Sequence, residues 1–171
     1  KKFQENILNI PAKAKITLAG TYLTYLYLVD SANNQIYRYP RAEGGFGEKT
    51  NWKKDATIDI SQSSGIAINE NIYLATLDNL LKFFKNKKQD FAIEESPTKI
   101  LPFKVASKID GQYIWLLDKT NSRIVKLDLT GKIIAQFYHS EIANSADFAV
   151  NEETNTVYFS AGNGVQSFLA N

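Results

Sequence analysis

The chain of 171 residues contains no cysteine, no methionine and a single histidine. Without cysteine there is no disulfide framework and no thiolate metal site. His139 has no second histidine or cysteine with which to share a metal ion, so we expect no metal and no cofactor. No apolar run approaches the roughly 18 residues that a membrane-spanning helix needs, so we expect no membrane insertion of this segment.

A strong charge of either sign is also missing. Twenty Lys and Arg residues stand against 18 Asp and Glu residues, which gives a formal net charge of +2. This balance favours neither nucleic acid nor an anionic membrane as a partner, so we expect a protein or small-molecule ligand at a local site. Because Lys1 opens a chain without methionine, we also expect further sequence upstream.

Motifs typical of enzymes are scarce. The stretch GGFGEKT at 44–50 is similar to a phosphate loop, but Glu48 separates the last glycine from the lysine. The paired glutamates at 94–95 and 152–153 would point to opposite faces of an extended chain. Residues 63–65, Ser-Ser-Gly, lack the Gly-x-Ser-x-Gly elbow of a serine nucleophile. The sequence therefore predicts that this chain is not an enzyme.

The sequence does contain an internal repeat. YLYLVDSANNQIYRY matches YIWLLDKTNSRIVKL position by position, and the matching Asp30 and Asp118 are 88 residues apart. Four copies are recognisable, at residues 25–39, 72–84, 113–127 and 157–169. Their spacings of 42 to 46 residues lie in the range of repeat architectures.

Each copy alternates apolar and polar residues around a turn rich in Asn, Asp and Gly, which is the pattern of paired β-strands. Short apolar segments precede each copy, and these are predicted first strands: 15–19, 65–69, 104–108 and 147–151. Predicted fourth strands follow three of the copies, at 50–54, 90–94 and 133–138. Four-stranded units at such a period are the signature of a β-propeller.

The sequence therefore predicts an all-β fold, a β-propeller with four four-stranded blades in one domain of residues 1–171. The blades should cover about 12–55, 56–95, 96–140 and 141–171, as the repeat spacing indicates. The ring is either closed with four blades or part of a six-bladed propeller. Because unit four ends without a fourth strand, residues 2–10 are expected to lie beside residues 164–169, and an edge left open should pair between chains.

The third unit resembles the NHL-type repeat, in which an aliphatic strand ends in Asp and is followed by Asn, Arg-Ile and a glycine turn. The matching residues are Leu117, Asp118, Asn121, Arg123, Ile124, Leu127, Asp128, Gly131 and Lys132. Unit one keeps Asp30 but has Gln35 in place of the arginine, and units two and four have Thr76 and Ala161 in place of the aspartate. WD40-like repeats share the architecture, but the recurrent His and Trp-Asp pair of that family are missing.

The alternation of long-turn and short-turn units, with YRYPRAEGGFGEKTNW after the first, is similar to the C-terminal six-bladed propeller regions of multidomain bacterial membrane proteins. Some of those proteins carry a phosphatase-like domain upstream. The resemblance implies that this chain holds four of six blades. It also implies an extracytoplasmic location and a membrane anchor in an upstream segment.

Candidate site residues follow from the predicted blade geometry. The first strands of the blades surround the channel of a propeller, so the expected ligand-binding residues at the channel mouth are those that open or precede these strands: Lys15, Ser64, Lys104 and Asp147. Asp and Asn side chains commonly bond the backbone of their own turn, which assigns a structural role to Asp30, Asn34, Asp118 and Asn121.

We therefore expect a non-catalytic binding, sensing or protein-interaction module that forms part of a larger membrane-tethered bacterial protein. Two alternatives stay open. One is a propeller hydrolase or lyase with its active site at the channel mouth, and the other is a purely structural scaffold. The fold itself does not decide among them, because propellers host unrelated functions.

Overall fold

Alternating apolar and polar residues form sixteen β-strands over residues 8–171, the part of the chain that the computed structural model describes. The strands build four small antiparallel sheets in a ring, the arrangement of a four-blade β-propeller. The predicted fold class is therefore confirmed. Consecutive strands of a blade are neighbours in the sheet, apart from the last strand of the first blade, because short turns rich in Asn, Asp and Gly connect them.

The first two blades differ in their outer strands. The first blade contains β1 (Ile16–Tyr22), β2 (Tyr25–Asp30), β3 (Gln35–Ala42), β4 (Gly45–Phe46) and β5 (Thr50–Asn51). Both β4 and β5 pair with β3, at different points along it. The second blade contains β6 (Gly65–Ile68), β7 (Ile72–Ala75), β8 (Leu80–Phe84) and β9 (Lys87–Lys88).

The last two blades contain the only helical turns of the described residues. The third blade contains β10 (Lys104–Ala106), β11 (Tyr113–Asp118), β12 (Arg123–Asp128) and β13 (Ile133–Tyr138). The fourth blade contains β14 (Phe148–Asn151), β15 (Thr156–Ala161) and β16 (Gly164–Leu169). Short 3-10 helices follow β11 and β13, at Lys119–Asn121 and Ser140–Asn144. Within residues 8–171 no helix has the length and apolar character to cross a membrane.

One of the three predicted fourth strands is wrong, whereas β5 and β13 lie within the other two. The predicted fourth strand at 90–94 is not a strand, and β9 takes that place in the second blade. Phe91 and Ile93 instead pack against the core between the second and third blades. The Glu94 amide donates to the Gly131 carbonyl at 2.9 Å, which ties this segment to the third blade. The fourth blade has three strands in the described chain.

Three hydrophobic cores hold consecutive blades together. We call the side of a blade that meets the next blade its forward face, and the opposite side its backward face. One aromatic residue of the repeat lies on the forward face of each of the first three blades: Tyr27, Tyr73 and Trp115. Residues on the backward face of the next blade, such as Leu74 and Phe159, belong to the same core as the aromatic residue. Burial of these apolar faces is the main force that assembles the ring.

The fourth junction, between the last and the first blade, is different. The backward face of the first blade consists of Leu28, Tyr37 and Tyr39, and Leu8 packs against it. The Tyr39 hydroxyl donates to the Asn9 carbonyl at 3.0 Å. Among residues 8–171, no buried cluster or hydrogen bond joins the fourth blade to the first. Of the predicted closing strand, residues 2–7 lie outside the described residues, and Leu8 and Asn9 contact the first blade rather than β16.

Candidate functional site: the channel mouth

The first strand of each blade begins, and the second strand ends, at the same end of the ring. In the third blade Lys104 at the start of β10 pairs with Leu117 near the end of β11. In the second blade Gly65 pairs with Ala75 in the same way. We call this end of the ring the channel mouth. The four candidate ligand-binding residues lie at it, because each opens or directly precedes the first strand of its blade.

The structure brings Ser64 and Lys104 together. The Ser64 hydroxyl donates to the carbonyl of Phe103 at 2.7 Å, across the junction between the second and third blades. A Cβ atom on Gly65 would lie 2.8 Å from the Cα atom of Lys104. Real Cβ atoms do not approach backbone so closely, so glycine is required for these two inner strands to meet.

Two lysines each contact the same aromatic ring at this mouth. The Nζ atom of Lys104 lies 5.2 Å from the centroid of the Phe103 ring, and the Nζ atom of Lys119 lies 4.3 Å from it. Neither lysine forms an ion pair within the described part of the chain. The ring attracts both cations through its negative face. The pair therefore concentrates positive charge beside an aromatic surface.

Lys15 and Asp147 serve their own blades instead. The Lys15 amide donates to Asp30 at 2.9 Å, and its carbonyl accepts from the Ser31 amide at 3.0 Å. Asp147 accepts from the Phe148 amide at 2.9 Å, and its own amide donates to the Ser160 hydroxyl at 3.2 Å. Their contacts lie within the first and the fourth blade, so the structure does not join them to Ser64 and Lys104.

Asp30 is fully buried and organises the turn after β2. It accepts from the amides of Ala32 and Asn33 and from the hydroxyl of Tyr37, which lies 3.0 Å away. Burial alone would raise the pKa of Asp30, but hydrogen bonds from the Asn33 side chain, from the Lys15 and Asn33 amides and from the Tyr37 hydroxyl outweigh it, so the pKa is lowered. Burial, together with the bond to Asp30, raises the pKa of Tyr37 to about 12.

Asn34 extends the same turn to the segment that leads into the second blade. Its side-chain oxygen accepts from the Ile60 amide at 2.9 Å, and its side-chain nitrogen donates to the Ala56 carbonyl at 3.2 Å. The residue adopts the left-handed region, with φ of 51°. Asparagine tolerates this conformation better than most residues, so it serves both the turn and the connection.

Asp118 is held differently from its counterpart Asp30. It accepts from the side chain of Asn121 at 2.8 Å and from Nε of Arg123 at 2.8 Å, and both ion-pair partners are almost fully buried. Arg123 also donates to the carbonyls of Thr98 and Lys99. Sequence reasoning placed Arg123 in the repeat motif but missed its role as the buried partner of the aspartate. The sequence did carry a signal for this role, since an arginine follows Asp118 at the spacing at which a glutamine, Gln35, follows Asp30.

The remaining motifs have local structural roles. Residues of GGFGEKT form β4, which pairs with β3 as a hairpin, with Gly44 in the left-handed region. The Nδ1 atom of His139 accepts from the Glu141 amide at 3.2 Å, and its ring packs 5.7 Å from that of Phe159. Within residues 8–171 there is no group of three or more His, Cys, Asp and Glu residues that could hold a metal ion.

The channel mouth is partly exposed, since Ser64, Phe103, Lys104 and Lys119 are each half-buried. Five clefts of ≈ 190 to ≈ 550 Å³ lie at blade hairpins and along the seams between blades. None of these five is lined by Ser64, Phe103, Lys104 or Lys119. Such a surface offers contact to a ligand that lies across it, rather than enclosure of a small molecule.

Comparison with solved structures supports the propeller fold. The chain is similar to a candidate 6-phosphogluconolactonase from Bacteroides uniformis, at 13% identity and a TM-score of 0.62, over 90% of this chain and 52% of that one. It is also similar to an inactive virginiamycin B lyase from Staphylococcus aureus with quinupristin, at 14% identity and a TM-score of 0.59, over 93% and 57% of the two chains.

A third similar structure has nearly the same length. The computationally designed Ika4 protein matches at 12% identity and a TM-score of 0.65, over 95% of both chains. The chain thus spans about half the length of the two natural proteins and almost the whole of the designed one. No protein-family model matches the chain, and no curated protein matches it.

These comparisons correct the prediction that the chain is not an enzyme. Two of the similar propellers carry the names of enzymes, a lactonase candidate and a lyase, so the missing nucleophile elbow and metal cluster do not exclude catalysis on this fold. The prediction failed because it relied on motifs from other folds, whereas the residues of a propeller site come from separate blades. What the comparisons show for this chain is the β-propeller fold.

Proposed function

We propose that this chain is a binding propeller whose channel mouth engages an acidic segment of a partner protein. The observation that carries the proposal is that Lys104 and Lys119 both contact the Phe103 ring, partly exposed and without an ion-pair partner in the described residues. Carboxylates of a ligand would form ion pairs with both lysines, while its apolar atoms pack on the Phe103 ring. Charges on an open rim chiefly accelerate association and set specificity.

A fluorescein-labelled hexaglutamate peptide tests this proposal by fluorescence anisotropy. We expect salt-sensitive binding, and a Lys104→Glu/Lys119→Glu variant should lower the affinity roughly tenfold, because two exposed ion pairs contribute up to about 1 kcal/mol each. Lys87→Glu is the matched control, since it changes an exposed charge on β9 at the outer side of the second blade. Absence of binding, or equal losses in both variants, contradicts the proposal.

A hydrolase or lyase at the same mouth is the second candidate. It is favoured by the lactonase and lyase names of two proteins that share the fold. The purified chain should then open 6-phosphogluconolactone or another lactone faster than buffer does, and Lys104→Ala should reduce the rate. Peptide binding without lactone turnover favours the first proposal, and turnover without peptide binding favours the second.

We also propose that the blades are NHL-like and that the module belongs to a larger, membrane-tethered extracytoplasmic protein. The proposal is supported by the match of the third unit, from Leu117 to Lys132, to the NHL-type pattern. Reading the gene upstream of Lys1 tests it. A transmembrane segment in the same reading frame supports the tether, and a separate open reading frame that starts at this domain contradicts it.

A further inference from the structure

One repeat position is buried in three blades and exposed in the fourth. It is the apolar residue near the start of the third strand, on the forward face, and it is at most 1% exposed at Ile36, Leu80 and Ile124. Val165 occupies the same position, since it pairs with Ser160 as Ile124 pairs with Leu117. Its side chain is 71% exposed.

The aromatic position of the repeat shows the same difference. Tyr27, Tyr73 and Trp115 are at most 6% exposed beneath the next blade, whereas Tyr158 is 41% exposed. Leu169, which pairs beside it with Thr156, is 63% exposed. We call the surface formed by Tyr158, Val165, Ser167 and Leu169 the open face. It is a blade interface of the repeat that the described residues leave without a partner.

The open face and its edge strand carry no charge. All six residues of β16, GVQSFL, are neutral, and its pairing with β15 is regular from Thr156 to Ala161. Natural edge strands are usually protected by lysine, proline or a bulge, and β16 has none of these. A neutral apolar face can also meet a copy of itself without repulsion between like charges.

The fold limits which surface of a second copy can cover this face. The repeat would place the backward face of a blade there, and the backward face of the first blade is covered by Leu8 and held by the bond between Tyr39 and Asn9. Within residues 8–171 nothing covers the open face of a second copy in this way. An interface in which both copies use the same patch closes as a two-fold dimer.

We propose that the open face is a self-association surface, on which a second copy packs its own open face about a two-fold axis. The surface lies on the fourth blade, away from Lys104 and Lys119 on the third, so the dimer leaves the channel mouth accessible. Burial of Tyr158, Val165 and Leu169 from both copies removes from water the apolar groups that the other blades bury within the chain.

Light scattering coupled to gel filtration tests the proposal. The chain should elute with twice its mass of 19.2 kDa and dissociate on dilution across about 1 to 100 µM, the range of modest interfaces. Val165→Lys should give a monomer, since the two copies would bury two like positive charges in the interface. Leu77→Lys is the matched control, because Leu77 is equally exposed, at 72%, on a turn of the second blade. Circular dichroism checks that both variants fold.

A distance measurement identifies the surface independently. Because the chain lacks cysteine, a nitroxide on Ser167→Cys is a unique probe, and pulsed EPR should give one short distance between labels in the dimer. A label on Leu77→Cys should give a longer distance. A monomer at every concentration overturns the proposal and indicates a cover from within a longer chain. A dimer that survives Val165→Lys, or a ladder of larger species, also overturns it.

Discussion

Arg123 donates from Nε to Asp118 at 2.8 Å, and the two side chains are only 1% and 0% exposed. The charge of each residue is therefore compensated inside the protein rather than by water. Asp30, at the same position of the first blade, has no cationic partner among residues 8–171 and accepts instead from Tyr37, from the Asn33 side chain and from nearby backbone amides. The buried carboxylate at this repeat position is therefore stabilised by neutral donors in the first blade and by an arginine in the third.

Arg123→Ala should lower the free energy of unfolding by about 3–5 kcal/mol, because it leaves Asp118 buried without its cation. The double variant Asp118→Asn/Arg123→Met should lose less free energy of unfolding than the two single variants lose together. Lys99→Ala, which breaks an exposed pair with Asp78, should cost no more than about 1 kcal/mol. Urea denaturation measures these variants together with the single changes Asp118→Asn and Arg123→Met, and additive losses would show that the buried pair is not coupled.

Tyr37→Phe should make the free energy of unfolding less dependent on pH in the acid range. The folded state lowers the pKa of Asp30 below 3.8. The contribution of the ionised carboxylate to the free energy of unfolding is therefore fully present above about pH 4, and it is lost as the pH falls through the lower pKa of the folded state. Removal of the Tyr37 hydroxyl weakens this effect. The variant should be less stable than wild type by about 1 kcal/mol at pH 7, and the difference should shrink below about pH 4.

Tyr39→Phe is the control for that experiment, because its hydroxyl bonds a backbone carbonyl rather than a carboxylate. It should lower stability by a similar amount at every pH between about 3 and 8. Urea denaturation across this range makes the comparison. Parallel pH profiles for both tyrosine variants would show that the Asp30 carboxylate does not depend on Tyr37.

Gly65→Ala should destabilise the protein by about 1–3 kcal/mol, as overpacking in a tight site does. Its Cβ would meet the backbone of Lys104 and Val105 at 2.8 and 3.0 Å, so two inner strands would have to separate. Gly164→Ala is the control, because nothing lies within 4 Å of its added Cβ. Thermal unfolding should place the control near wild type, and equal losses would contradict the close approach.

Asn34→Ala should lower the free energy of unfolding more than Asn34→Gly does. Both changes remove the bonds to Ile60 and Ala56, each of which contributes about 1 kcal/mol, but alanine is also strained at φ of 51°. Asn155→Ala isolates the strain, because Asn155 has φ of 50° and its side chain makes no hydrogen bond within residues 8–171. Denaturation midpoints that do not separate the two Asn34 variants would rule out backbone strain at this turn.

The local pattern of the sequence was enough to predict the strands and the propeller. Alternation of apolar residues selects strands, and a period near 44 residues requires units that bury their faces against neighbours, so fold class follows from spacing alone. The segment at 90–94 shows the limit of this reasoning. Its alternation is that of a strand, but Phe91 and Ile93 pack against the core between two blades and the segment does not extend a sheet.

The site depended on contacts that spacing does not show. The sequence named Ser64 and Lys104 together with Lys15 and Asp147, because all four open the first strands of their blades. Only the tertiary structure brings Lys104 and Lys119 to the same Phe103 ring, since Lys104 begins β10 and Lys119 lies in the 3-10 helix after β11. The exposure of Val165 was likewise decided by tertiary structure, because a repeat specifies an apolar face but not what covers it.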